Sequence, residues 1–272
     1  MKIYRIKPGS RLNLGKIDPS DTGDYTSNEA GKAKAEADTR SLLDRLKPLQ
    51  ERLYANAGRS LLIVLQAMDT GGKDGTIKHV MAGINPQGCR VTPFKAPSAR
   101  ELAHDFLWRV HQEAPPKGYI GIFNRSHYED VLITRVHGRV SDDLAEQRFK
   151  QIRDFERLLH ENGTDILKFF LHISKDEQRE RLEARVRNPD KRWKFNPGDL
   201  EERKLWSNYM AAYEDAISAT STEHAPWHVI PANRKWYRNL AVAQTVVDAL
   251  EDMHLKRPPD PDGVDFEKLK IV

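Results

Sequence analysis

Cysteine is nearly absent from this chain of 272 residues, with Cys89 standing alone. No internal disulfide can form, which rules out a disulfide-stapled secreted scaffold. Neither HExxH nor paired cysteines occur, and no other transition-metal spacing is present, which argues against zinc. No apolar run approaches the ~20 residues of a membrane-spanning helix. The N-terminus, Met1-Lys-Ile-Tyr-Arg-Ile6, has no apolar signal core, so a cytoplasmic protein without a membrane partner is expected. Internal repeats, low-complexity tracts and long Pro/Gly/Ser linkers are missing too, and a single domain over residues 1–272 is expected. Even charge of one sign is scarce: 44 basic against 40 acidic side chains leave a formal +4. That excess matters only where it is concentrated.

The chain has enough apolar residues for a sizeable core, 39% against 31% charged. Residues 1–27 read as an irregular arm that Ile3, Tyr4 and Ile6 could anchor. A helical stretch follows from Asn28 to Ala57, with Leu42, Leu43, Leu46, Leu49 and Leu53 on one stripe and Pro48 expected to kink or divide it. Strands are expected at Leu61–Leu65, Cys89–Phe94, Gly118–Asn124, Ile166–Ile173 and Trp227–Ile230. Helices fall between them: one from the capping box Ser98–Glu101 to Gln112, one from His127, one over Ser141–Glu161, one from the box Ser174–Glu177, one from Asp199–Glu202, and a last over Tyr237–Met253. This alternation calls for a five-stranded parallel sheet between two helical layers, with ligands at the carboxyl ends of the strands. The tail over 255–272 reads as a loosely attached arm.

Three clusters converge on that rim. In the first, Leu61–Leu65 runs into Gln66-Ala-Met-Asp-Thr-Gly-Gly-Lys-Asp-Gly-Thr76. Gly71, Gly72 and Gly75 permit tight curvature, and Lys73 falls where a helix begins. Inward-facing N–H groups, the helix dipole and an ammonium make an anion site. The fit to GxxxxGK[ST] fails at both ends: Ala67 replaces the first glycine, and Asp74 replaces the hydroxyl residue that normally holds magnesium. Asp74 is left either supporting a metal shell or capping the helix. The second cluster is Asn124-Arg-Ser-His-Tyr-Glu-Asp130, in which Arg125, Glu129 and Asp130 are the cation and carboxylates that phosphoryl transfer requires. Because Asn124 stands where an aspartate usually holds metal, Asp69 becomes the candidate ligand. Ser126–Glu129 also fits a capping box, so Glu129 either caps or faces a ligand. The third is Gln178–Lys194, where seven basic residues oppose Glu180, Glu183 and Asp190. Arg181 and Arg185 share a helix face, and Lys191, Arg192, Trp193 and Lys194 mix charge with an aromatic ring. This is either a solvated helix of Glu–Arg pairs or a lid over phosphates, and its position beside the rim favours the lid.

These residues resemble the polyphosphate kinase 2 family. The resemblance is carried by Ala67–Thr76, Phe123–Leu132 and Lys191–Phe195, with Lys168–Gln178 and Ala225–Asn233, and runs from about residue 30 to 255. It is closest to the single-domain, class III members that accept nucleoside monophosphates and diphosphates. It implies a P-loop kinase-like three-layer αβα fold with a helical lid over about 178–198. It also implies reversible transfer of a phosphoryl group from inorganic polyphosphate to AMP or ADP, giving ADP or ATP, with magnesium and with manganese as a substitute. On this resemblance Asp69 binds the metal, with Asp130 a second candidate. Lys73 holds phosphates, Arg125 contacts the nucleotide's phosphates, and Asp130 orients or deprotonates the accepting phosphate. Gly71, Gly72, Asp74, Gly75, Thr76, Lys78, Asn124, Glu129, Arg181, Arg185, Lys191 and Arg192 line the phosphate path. Asn124 and Glu129 look like the monophosphate-accepting groups. The family implies a homo-oligomer, dimer or tetramer, and no nucleic-acid partner. Two rivals share parts of the pattern: an ATP-dependent nucleotide or nucleoside kinase, and a nucleic-acid-binding module built on the basic helix.

Overall fold

Leu61, Ile63 and Leu65 belong to one apolar core, and Leu62 and Val64 belong to another. A strand buried on both faces must lie inside a sheet covered on both sides. The computed structural model, which describes residues 4–262 and 266–269, shows that arrangement. In chain order the elements are α1 (Glu29–Asn56), β1 (Ser60–Gln66), α2 (Lys73–Val80), β2 (Cys89–Pro93), α3 (Ala99–Leu102), α4 (Trp108–His111), β3 (Ile120–Asn124), α5 (Ile133–Val136), α6 (Asp142–Glu161), β4 (Thr164–His172), α7 (Lys175–Arg187), α8 (Gly198–Lys204), α9 (Trp206–Thr220), β5 (Trp227–Pro231) and α10 (Lys235–Asp252). The five strands are all parallel, in the order β2-β3-β1-β4-β5. One core holds residues of α1 and α10, and the other residues of α6 and α9. The three-layer α/β architecture expected from the alternation is present.

Register sets the site. Leu65 pairs with Asn124 across β1 and β3, and Gln66 pairs with Phe170 across β1 and β4. The loops after β1, β3 and β4 therefore leave the sheet side by side, where the strand order reverses.

Several local expectations need correction. Pro48 does not divide α1, which runs through it from Glu29 to Asn56. The proline lies on the exposed side while Leu42, Leu46 and Leu53 are buried, so the carbonyl that loses its donor can turn to water. The helix opened by Ser98 ends at Leu102, although its capping box forms on both sides. Asp105 Oδ1 then accepts the N–H groups of Leu107 and Trp108, at 3.0 and 3.1 Å, and restarts the chain as α4. Asp199 does not cap α8, which begins at Gly198 with Asn196 Oδ1 accepting the Gly198 N–H. The arm is anchored as Tyr4 and Ile6 suggested. Tyr4 is buried against Tyr237, and the Ile6 N–H donates to the Trp227 carbonyl. Ile3 lies outside the described residues. No helix among the described residues is long and apolar enough to cross a membrane.

Candidate active site

The loop after β1 turns by a route of its own. A β-carbon at Gly71 would meet the Ala67 methyl at 2.5 Å and the Met68 carbonyl at 2.8 Å. The turn thus places its bare backbone at position 71 and a methyl at 67, the reverse of the usual pattern. Thr70 has φ +61° and Gly72 has φ +104°, left-handed backbone that is costly for threonine and free for glycine. Lys73 opens α2 almost buried, at 9% exposure, and its Nζ donates to the Ala67 carbonyl at 3.0 Å. Burial lowers its pKa, as does the neighbouring Arg125, while Asp69, Glu129 and Asp74 act in the other direction.

Arg125 leaves β3 with φ +64°, a second strained residue on the rim, and its N–H continues the sheet by donating to the Leu65 carbonyl. Its Nη2 binds Asp69 Oδ1 at 2.9 Å. Burial opposes the charge on Arg125, but Glu129 and Asp69 outweigh it and hold the pKa above its ordinary value. Glu129 is the converse case: burial pushes its pKa up, and Arg125 and Lys73 only partly offset that. Two cations and two carboxylates are thus packed together, with the charges of Lys73, Arg125, Asp69 and Glu129 acting on one another.

The capping role weighed for Glu129 is not the one seen. Ser126 Oγ accepts the Tyr128 N–H at 3.2 Å and a hydrogen bond from Gln66 Nε2 at 3.3 Å, because residues His127–Val131 form a 3₁₀ turn. A 3₁₀ turn has about three residues per revolution, so adjacent side chains diverge by about 120°. Glu129 feels the charges of Arg125 and Lys73, and Asp130 those of Arg109 and Arg148, so the two carboxylates sit in different surroundings. Arg109 Nη2 lies 3.9 Å and Arg148 Nη1 3.8 Å from the Asp130 carboxylate, and Arg148 also donates to the Asp130 carbonyl at 2.7 Å. Burial raises the Asp130 pKa against these two arginines, and its Oδ2 has no hydrogen-bond partner.

Asp74 neither caps α2 nor joins the inner cluster. Its side chain is 71% exposed. Oδ1 accepts from Asn124 Nδ2 at 2.9 Å, and Oδ2 lies 3.6 Å from Lys194 Nζ. Thr76 turns its hydroxyl back to the Gly72 carbonyl, and Lys78 is exposed on α2.

The solvated-helix reading holds for part of the basic helix. Arg179 and Arg187 form exposed pairs with Asp176 and Glu183 along α7, the solvated-helix pattern. Arg181 instead is half-buried, binding Glu177 at 2.6 Å and donating to the carbonyls of Thr70, Ala232 and Asn233. It ties the phosphate loop to the end of β5. Gln178 Nε2 adds a bond to the Asp69 carbonyl at 3.1 Å. Arg185 holds Asp199 Oδ2 at 3.3 Å and the Lys194 carbonyl at 3.0 Å, so it braces the segment 185–199 from within. Lys191 and Arg192 are exposed beside Trp193.

Arg109, Arg148 and Arg238 were not singled out from the sequence. Arg238 alone left a signal there: with Arg234 and Lys235 it puts positive charge at a helix N-terminus, where the dipole disfavours it.

Comparison with known proteins places the site in context. A family model described as polyphosphate kinase 2 (PPK2) matches residues 29–258. The chain is 55% identical over 258 residues to the AMP/ADP-polyphosphate phosphotransferase of Meiothermus ruber, covering 95% of this chain and 96% of that one. It is 45% identical to the ADP-polyphosphate phosphotransferase of Rhodopseudomonas palustris, over 94% and 92% of the two chains. The crystal structure of polyphosphate kinase 2 from Arthrobacter aurescens superposes with a TM-score of 0.92 at 46% identity, covering 97% of this chain and 93% of that one.

Proposed function

The chain belongs to the polyphosphate kinase 2 family, and on that premise we propose that it transfers the terminal phosphoryl group of inorganic polyphosphate to AMP and to ADP, reversibly and with magnesium. The observation that carries this reading is the meeting of Lys73, Asp69, Arg125 and Glu129 at the ends of β1 and β3. In the forward direction the bond from the terminal phosphorus to its bridging oxygen breaks, a bond to an oxygen of the nucleotide's last phosphate forms, and the polymer shortens by one unit. The Meiothermus ruber relative carries both acceptors in its name, and Asn124 and Glu129 are assigned here to a site that admits both.

Magnesium fits the donor set. It prefers oxygen ligands, keeps several waters, and is usually held by one or two carboxylates together with substrate phosphates. Asp69 offers such a carboxylate beside Lys73, whereas Asp74 reaches outward to Asn124 and Lys194. Among the described residues no group of three acidic, histidine or cysteine side chains forms a metal cage. Asp130, the alternative ligand, is committed to Arg109 and Arg148. When bound, the ion neutralises charge on the phosphate oxygens, and manganese accepts the same ligands.

The rest is done by side chains of the chain itself. Loop N–H groups and Lys73 hold the phosphate that moves. Arg125 spreads its charge. Glu129, with its raised pKa, accepts a proton as a phosphate approaches instead of repelling it. Asp130 acts on its two arginines rather than on substrate. The segment 178–198 covers the loop and limits water. The same reading puts the enzyme in the cytosol as a dimer or tetramer, which light scattering checks. The deciding assay mixes AMP or ADP with polyphosphate and magnesium, without ATP, and separates the nucleotides by chromatography. ADP and ATP are the expected products, and their absence would refute the reading.

A further inference from the structure

Arg238 is a buried cation without a counter-charge. It is 2% exposed. Its Nε and Nη2 both donate to Oδ1 of the adjacent Asn239, at 3.2 and 2.8 Å, and no carboxylate pairs with it among the described ion pairs. The charge nearest in effect is another cation, Arg181; burial first and Arg181 second bring the Arg238 pKa down to about 10. Arg181 is compensated by Glu177 at 2.6 Å. Lys235 adds to the same positive field, since it feels Arg181, Arg238 and Lys191, with Glu177 the acid acting on it.

The guanidinium is aimed at the phosphate loop. Any β-carbon at Gly72 would run into Nη1, and one at Gly75 would lie 3.4 Å from Nη2. These glycines flank Lys73 on the chain. An unpaired buried charge is among the most costly groups a fold can carry. Here it is carried directly behind a loop whose ligand is an anion.

We propose that Arg238 is the resident counter-charge of the phosphate held by the Gly71–Lys73 loop, a positioning residue that touches the loop and not the substrate. Packed behind Gly72, it fixes the loop's backbone and leaves a positive charge uncompensated until a phosphoanion arrives. The inference rests on the proposed use of this loop for polyphosphate.

The test compares wild type, Arg238→Met and Arg238→Lys. Melting temperatures are read with and without tripolyphosphate, and polyphosphate KM and kcat are read separately. Arg238→Met should melt no lower than wild type without phosphate, because a buried uncompensated cation is gone. It should lose most of the tripolyphosphate-induced rise in melting temperature and raise KM by roughly tenfold or more. Arg238→Lys should recover part of both. A merely structural arginine gives the opposite pattern: Arg238→Met melts lower, yet the tripolyphosphate shift and KM of the folded protein stay at wild-type values. That result overturns the inference. Should Arg238→Met not fold, Arg238→Gln decides, since an unchanged tripolyphosphate shift and KM in the absence of the charge sink the idea. A wild-type protein without polyphosphate-dependent transfer refutes the proposed function instead, and the thermal-shift comparison still judges Arg238.

Discussion

The pair Lys168–Glu156 is 2.6 Å long and inaccessible to solvent, and it joins the core to the active site. Lys168 Nζ also donates to Tyr128 Oη at 2.9 Å and to the Thr220 carbonyl at 2.8 Å, so its three hydrogens are used. Glu156 Oε1 accepts from Tyr128 Oη at 2.8 Å and lies 3.4 Å from His127 Nε2. Tyr128 and His127 belong to the turn that presents Glu129 and Asp130, directly after the strained Arg125. Burial opposes the Glu156 charge, but Lys168 and His127 outweigh it and lower the pKa. The stability it contributes is therefore present above the unfolded carboxyl value and lost as pH falls through the lower, folded one.

Glu156→Gln keeps the shape and removes the charge, leaving an ammonium buried without its counter-ion. Such a loss costs about 3–5 kcal/mol. Unfolding entropy is about 2.1 cal/mol/K per residue, or roughly 0.57 kcal/mol/K over 272 residues. The melting temperature should fall by roughly 5–9 °C. Lys168→Met with Glu156→Leu removes both charges and fills the space with apolar atoms, a change that is often neutral or stabilising by about 1–4 kcal/mol. Against that, Tyr128 and Thr220 lose partners at about 1 kcal/mol each, so the double variant should melt near wild type. Calorimetry on the full double-mutant cycle, with turnover per folded molecule, is the assay. A Glu156→Gln protein melting within a degree of wild type would refute the reasoning, as would a double variant no more stable than the single.

Lys73→Met should lower turnover by about 10²–10³-fold, the scale of losing one charge-stabilising donor, with thermal unfolding unchanged; a near-normal initial rate removes Lys73 from the mechanism. Asp69→Asn should cut turnover and weaken the apparent magnesium affinity in a metal titration, and an unaltered magnesium curve would exclude it as a ligand. Glu129 has a raised folded pKa, so its favourable contribution is complete below the unfolded value of 4.5 and is lost as pH rises through the folded one. Glu129→Gln should accordingly melt like wild type at low pH and above it near neutrality, and parallel melting curves across pH would contradict this. Gly72→Ala combines a φ of +104° with a clash against Arg238. About 1–3 kcal/mol of strain should appear in denaturant unfolding, together with weakened polyphosphate binding.

The sheet was legible because its signals are redundant: β1 is a continuous apolar run, and each strand is bounded by glycine, proline or a capping serine. Features that depend on three-dimensional competition were not. Ser98 announces a helix correctly, but nothing nearby in the sequence shows that Asp105 will capture two N–H groups and break it. Pro48 looks decisive in one dimension and is harmless on an exposed face. In the site, Lys73, Asp69, Arg125 and Glu129 meet as their loops suggested. Asp130 does not join them: it lies beside Arg109 and Arg148, two arginines from distant parts of the chain whose approach no local pattern announces. Arg109 and Arg148 were unreadable because a partnered surface arginine and a buried one are spelled alike.

The two departures of the loop from the usual phosphate-binding pattern belong to one design. With a methyl at Ala67, the turn takes its close backbone contact at Gly71 instead. Lys73 then folds onto the Ala67 carbonyl, bridging the start and the end of the loop. A hydroxyl residue after the lysine would place a metal ligand at the foot of α2. Asp74 instead reaches outward, to Asn124 on β3 and Lys194 in the basic segment after α7. The carboxylate left beside Lys73 is Asp69, held by Arg125 on one side, with Gln178 of α7 on its carbonyl. Each substitution moves a duty from the loop to a neighbouring element. The inward carboxylate, Asp69, sits at the start of the turn, and the outward one, Asp74, at its end. A loop arranged in this way touches the basic segment through Asp74 and the end of β3 through both aspartates, so the positions of the loop, Lys194 and Arg125 are linked by the same few side chains.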